Sequence, residues 1–163
     1  MIKFLISSFL LLNLSCQSSI LDSKKIYRVQ LKTPAGELIK TYVLTTEKDQ
    51  AQGLSGIKPD QFSDEEGALF FYRSEGEKGF WMPDTHFEID IFYFDHSFKI
   101  IDIVRRLPFY RGKANPKLIP RARVVWSRHA LEMKSSSEIA KKLQIGDKLE
   151  WIGNISPEEL VKE

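Results

Sequence analysis

Apolar and polar positions alternate in short runs along most of this chain. In "IYRVQL" (26–31) and "LIKTYVL" (38–44) the alternation has period two, and "TPAGE" between them is a turn signal, which predicts a first hairpin. The run "TTEKDQAQGLSG" changes character: Thr46 followed by Asp49 makes a helix start, and Gly53 or Gly56 a stop. Next, "GALFFY", "KGFWM", "IDIFYF" and "FKIIDIV" are rich in aromatic and β-branched residues and predict strands, with "DHS" a turn between the last two. Three prolines and a glycine between Leu107 and Pro120 exclude a long element there, so this is the long loop. The segment "ARVVWSRHALEM" (122–133) returns to strand, Ser135 with Glu138 opens a second helix, and "IGDKLEWIG" turns at Gly146 into a last strand. Pro157 at a first helical position marks a terminal helix.

About eight strands and two or three short helices predict a mainly β domain, with some α+β character. A compact β-barrel or a jelly-roll-like sandwich accommodates so many short strands. The domain is expected over residues 26–153, with 154–163 a tail or short helix, and it is long enough for one core.

The N-terminus follows a different pattern. Residues 1–15, "MIKFLISSFLLLNLS", carry one cation and then an apolar run too short for the roughly 20 residues of a spanning helix. They have the form of a signal peptide. Cys16, the only cysteine, excludes an internal disulfide. "LNLSC" resembles the lipobox of bacterial lipoproteins, with Asn13 where an aliphatic residue is usual. Cys16 is therefore expected to be lipidated and 16–25 to be a tether, anchoring the domain in the cell envelope. Gln17, rather than aspartate, points to the outer membrane facing the periplasm. Composition is that of an ordinary globular domain, neither disordered nor membrane-spanning, at 42% apolar and 28% charged residues.

The net charge of +2 hides an asymmetry. Between Ile103 and Leu131 there is no acid, while Arg105, Arg106, Arg111, Lys113, Lys117, Arg121, Arg123 and Arg128 contribute +8, leaving −6 elsewhere. Arg105, Arg106, Arg111, Lys113, Lys117 and Arg121 thus form a candidate basic surface for an anionic envelope component or a protein partner, unless they pair within the fold. The export signal disfavours nucleic acid.

Candidate chemistry concentrates in "GFWMPDTHFEIDIFYFD" (79–95). On an extended chain Asp84, His86, Glu88 and Asp90 share one face, and Asp90 meets the interior. Trp81, Asp84, Thr85 and Asp90 are the candidate ligand-binding residues, although most of the aromatics are expected to fill a core. The alternative is a hydrolase of envelope polymers using Asp90 with Glu132 or His86 as acid and base. With no Cys pair, HxxxH, HExxH, GxSxG or phosphate loop, neither a metal nor a cofactor is expected.

The order of "EKDQAQGLSG", "GALFFY", "GFWMPDTHFEIDIFYFD", "ARVVWSRHALEM" and "IGDKLEW" resembles the uncharacterised family called domain of unknown function 192, over about residues 40–153. Asp84 stands where that family usually has Asn, Glu88 where Pro is common, and Ser55 where Met follows the helix. The resemblance implies a small mainly β domain and assigns no activity. The functional expectation is accordingly a non-catalytic binding or accessory module.

Overall fold

The computed structural model describes residues 26–112 and 115–162. Residues 1–25, with the signal, the tether and Cys16, and also Lys113 lie outside the described residues.

Among the described residues nine strands and three short helices follow in the order β1 (Tyr27–Lys32), β2 (Leu38–Leu44), α1 (Glu47–Gln52), β3 (Glu66–Phe70), β4 (Gly76–Lys78), β5 (Ile89–Phe94), β6 (Ile100–Leu107), β7 (Val125–Ser127), β8 (His129–Lys134), α2 (Glu138–Lys142), β9 (Glu150–Ile152) and α3 (Pro157–Lys162). Seven strands form one mixed sheet in the order β6-β5-β8-β3-β2-β1-β9, and β4 with β7 makes a separate two-stranded ribbon. Within the large sheet β2 and β3 pair parallel; the other pairs are antiparallel. The crossover between β2 and β3 carries α1 and a 3-10 turn at Pro59–Gln61. The sheet does not close into a barrel, and the architecture is sandwich-like. Its two edges approach at one end through the bridge Lys99↔Lys148.

Period-two alternation gives the central strands two apolar faces. Leu44, Ala68, Phe70, Ile89, Ile91, Tyr93 and Ala130 face one core, with Leu54, Phe62, Phe80, Met82 and Ile119 packed over them from the loops. Val29, Leu31, Ile39, Val43, Leu69, Phe92, Phe94, Leu131 and Met133 face a second core, roofed by Ala140 and Leu143 of α2, Leu149, and Leu160 of α3. Every residue of β5 is buried, as expected for a strand covered on both sides. Gly67 is crowded by the strands on either side of β3: a Cβ there would lie 2.7 Å from Leu131 Cδ1.

Four expectations are corrected. "KGFWM" is not a strand beyond Lys78; Trp81 joins only through an isolated bridge to Arg121. Residues 84–88 are not extended: Asp84 has φ 51° and β5 begins at Ile89, so the four polar residues share no strand face. "ARVVWSRHALEM" is broken, β7 going to the ribbon and β8 to the main sheet. The cap of α2 is Ser137, whose hydroxyl accepts from Ala140 N–H, because Ser135 instead donates to Asp90 at 2.7 Å.

Candidate ligand-binding cleft

Helix α1 is held over the ends of β2 and β3. Thr46 caps its start by accepting from Asp49 N–H at 3.1 Å, and Gly53 ends it at φ 49°. From its middle, Gln50 donates through its side-chain amide to Leu44 O (3.0 Å) and Phe71 O (2.9 Å). The turn that follows, Gly53–Ser55, forms one wall of a cleft of about 260 Å³. Phe70 and Tyr72 leave β3 on a second side, and Phe80, Trp81 and Met82 close a third. Glu132 of β8 lies at the floor beside Ile89.

Glu132 occupies the middle of the sheet, opposite Ala68 on β3 and Ile91 on β5. It is 4% exposed, and its carboxyl makes no hydrogen bond or ion pair with the other described residues. Burial pushes its carboxyl up to about 8, so it is largely protonated at neutral pH. Burial and then the Glu132 charge raise the Tyr72 phenol to about 12, and the same two causes lead for Tyr93, so both phenols stay neutral. Ser55, also buried, lines the cleft, and its hydroxyl has no partner. Buried polar groups are ordinarily satisfied, so the unpartnered Glu132 carboxyl at the cleft floor, with the buried and unpartnered Ser55 hydroxyl behind the lining, points to a bound guest. Both groups can donate and accept a hydrogen bond.

The residues expected from sequence divide between this cleft and elsewhere. Trp81 forms the rim, with the Arg121 guanidinium 5.2 Å from its ring centroid. Thr85 lines the wall, but its hydroxyl is engaged, donating to Met82 O at 3.0 Å and accepting from Tyr110 N–H at 3.1 Å. Asp84 ties loops together: its carboxylate accepts from Gly112 N–H at 3.1 Å and lies 3.5 Å from His86 Nε2, and its carbonyl accepts from Gly56 N–H at 2.8 Å. Asp90 faces the other side of the sheet. It pairs across to Met133, while Glu132 pairs to Ile91, so strand alternation points the two carboxyl groups to opposite faces. The proposed acid–base pair is thereby taken apart.

Asp90 is instead a structural anchor. Between Ile89↔Leu107 and Ile91↔Val104 strand β6 holds one residue more than β5, a β-bulge at which Arg106 adopts φ 52°. The bulge lets Asp90 accept from both Arg105 Nη1 (2.6 Å) and Arg106 N–H (2.8 Å). Arg105 also donates to Ala140 O (2.7 Å) and Leu143 O (2.5 Å), fastening the C-terminal end of α2. The predicted basic surface therefore loses Arg105 to Asp90, Arg106 to Glu88 at 3.4 Å, and Arg123, outside the named set, to Asp102. Arg111, Lys117 and Arg121 remain exposed, with no ion pair to another described residue.

Phe70, Tyr72, Gln50 and Ser55 complete the cleft and were not among the sequence candidates. The available signal was Ser55 itself, a departure from the family's methionine. Among the described residues no group of three or more His, Cys, Asp or Glu could hold a metal ion.

The fold and the cleft define a small mixed-sheet domain with an acid-floored pocket on one face. The chain belongs to the DUF192 family, described as uncharacterized ACR, which it matches over residues 29–151. No curated protein matches it. Among solved structures, a protein of unknown function from Novosphingobium aromaticivorans DSM 12444 shares 23% identity over 77% of this chain and 85% of its own, with a TM-score of 0.61. A Sinorhizobium meliloti 1021 protein described as a candidate transcription regulator shares 20% identity over 76% and 92%, with a TM-score of 0.57. At these identities the likeness concerns the fold alone.

Proposed function

We propose that this protein is an exported, lipid-anchored cell-envelope domain, held at the outer membrane and facing the periplasm, that binds a small uncharged ligand in the Glu132 cleft without turning it over. The sequence of residues 1–25 supports export and anchoring. The binding role is carried by one observation, the buried and unpartnered Glu132 carboxyl at the cleft floor.

The chemistry of the lining selects the ligand class. A neutral acid both donates and accepts, so it complements hydroxyl or amide groups. A cation would meet the Arg121 guanidinium at the rim. The half-exposed Trp81 ring offers a stacking surface. These features fit one sugar-sized ring, of the kind envelope polysaccharides supply. Among the described residues lining the cleft Glu132 is the only carboxyl, and Asp90 faces away.

Thermal unfolding and calorimetric titration of the full chain in detergent with short N-acetylated oligosaccharides test this function. Ligand at 100 times its dissociation constant adds about 2.7 kcal/mol to stability. Glu132→Gln, which keeps a neutral donor and acceptor, is expected to retain binding, and Glu132→Leu to abolish it while the protein stays folded. Absence of binding by the wild type, or equal binding by the leucine variant, refutes the assignment.

A further inference from the structure

Ten large apolar side chains are exposed among the described residues, and five of the six most exposed come from Trp81 and the stretch 109–126. Trp126 is 65% exposed, Leu118 64%, Val124 60%, Trp81 46% and Phe109 43%. All five belong to one continuous region. The backbone of 80–82 bonds to 120–122 on one flank, through Met82 N–H to Pro120 O (3.1 Å) and Ala122 N–H to Phe80 O (2.9 Å). On the other flank Asp84 and Thr85 N–H donate to Gly112 O (2.8 Å) and Tyr110 O (3.0 Å). The ribbon extends this surface, with Glu77 opposite Trp126 and Lys78 opposite Val125. Phe80, Met82, Ala122 and Val125 turn inward to the core, which leaves Trp81, Val124 and Trp126 outside. Single exposed apolar residues need no explanation, but a connected group does.

The charges of the same region are mainly positive. Arg111, Lys117 and Arg121 stand exposed, and the chain from Ile103 to Leu131 contains no acid. Glu77 and the loop-bound Asp84 are the acids beside it. Two aromatic rings carry a guanidinium over their faces, Arg121 on Trp81 and Arg111 on Phe109 at 5.5 Å. Aromatic rings interleaved with cations, on loop tips rather than in a groove, match the interfacial layer of a bilayer: rings at headgroup depth, cations on anionic phosphates.

We infer that the outer face formed by Trp81, Phe109, Leu118, Val124 and Trp126, with Arg111, Lys117 and Arg121, seats on an anionic lipid surface. The anchored assignment explains how the domain comes to a membrane, and this contact rests on it only for that. The contact orients the domain, and places the rim of the Glu132 cleft, at Trp81, beside the headgroups.

The three tryptophans allow a direct test, because Trp151 lies away from this face and is held by a hydrogen bond from its indole N–H to Ile155 O (2.8 Å). Full-length protein is incorporated into phosphatidylcholine vesicles carrying acyl-chain bromine, with or without phosphatidylglycerol, and tryptophan emission is recorded. Quenching with a blue shift is expected with phosphatidylglycerol, and its loss in W81F/W126F, where Trp151 reports alone. Replacing Arg111, Lys117 and Arg121 by alanine should weaken quenching at low salt. Protein that stays vesicle-bound with unquenched tryptophans refutes the contact, keeps the anchor, and leaves this face to a protein partner. Protein that salt releases from anionic vesicles, yet is quenched while bound, keeps the contact and refutes the anchor. Quenching indifferent to phosphatidylglycerol, or to the loss of both tryptophans, also refutes the contact.

Discussion

Three acids in this chain have three different roles, each set by surroundings rather than by residue type. Asp84 holds a left-handed backbone conformation, φ 51°, that Asn and Asp tolerate better than other side chains bearing a Cβ. Asp84→Asn, the residue usual in its family, is expected to leave the melting midpoint within about 1 °C of wild type, whereas Asp84→Ala should cost about 1–2 kcal/mol through backbone strain alone. Calorimetry of both variants distinguishes conformation from charge. Asp90 is the anchor of the β6 bulge, and its Arg105 partner is 36% exposed. Asp90→Ala should therefore destabilise by on the order of 2–3 kcal/mol, below the roughly 3–5 kcal/mol of a wholly buried pair, because the freed guanidinium reaches water. Ligand binding by the folded fraction should not change, since Asp90 is on the far side of the sheet. Glu132 alone is open to a guest. From the sequence it stands out only as an acid–base partner for Asp90. Period two sets only which side of its own strand Asp90 takes; the pairing Ile91↔Glu132, which decides that the two carboxyl groups face apart, is a tertiary fact.

At the scale of elements, local signals were sufficient wherever the chain satisfies its own backbone. Strand β2 spans the residues its alternation marks, and α1 starts and stops at Thr46 and Gly53 because the cap and the left-handed glycine are local devices. Legibility failed where a distant partner takes over a local group. Ser135 resembles a helix cap but serves Asp90, 45 positions away, so the cap moves to Ser137. The run from Phe80 to Asp90 has strand composition, yet Asp84 turns it aside and its loops are satisfied by 110–112 and 120–122. The acid-free stretch was legible as charge, but not the internal pairing of Arg105, Arg106 and Arg123. Gly67 gives a test at this scale: with β3 packed between two strands, its Cβ clash with Leu131 and the 3.1 Å approach to Ile39 have no outlet. Gly67→Ala should cost about 1–3 kcal/mol as an overpacked core site, read from denaturant midpoints.

For the whole molecule, two buried titratable groups shape stability against pH in opposite senses. His129 stacks between Phe71 (4.4 Å) and Phe98 (5.0 Å) and accepts the Tyr72 N–H at 3.2 Å. Burial, helped by the Arg128 charge, lowers it to about 3. The unfolded chain binds its proton more readily, so stability falls as pH drops below the free histidine value near 6.5. Glu132 is the reverse: the folded form holds the proton up to about 8 while the unfolded chain releases it near 4.3, so stability falls as pH rises through that window. The slopes, about 1.4 kcal/mol per pH unit each, cancel where the windows overlap. A loss between about 6.5 and 8 is then left to Glu132 alone. Melting midpoints of the wild type should fall across that interval, and those of Glu132→Gln should not.

The bulges of β6 have a consequence beyond the anchoring of Asp90. Strand β6 is an outer strand of the main sheet, and such a strand offers unpaired backbone groups to any neighbour carrying a similar row. A second irregularity, between Tyr93 and Phe94, interrupts the same strand, so its free side presents a broken and charged outline. The opposite border, β9, is only three residues long. Neither margin offers a continuous template for another copy. The sheet is thus protected against growth in both directions, and deleting Arg106 to straighten β6 is expected to yield a protein that scatters light on concentration, through polymerisation strand by strand.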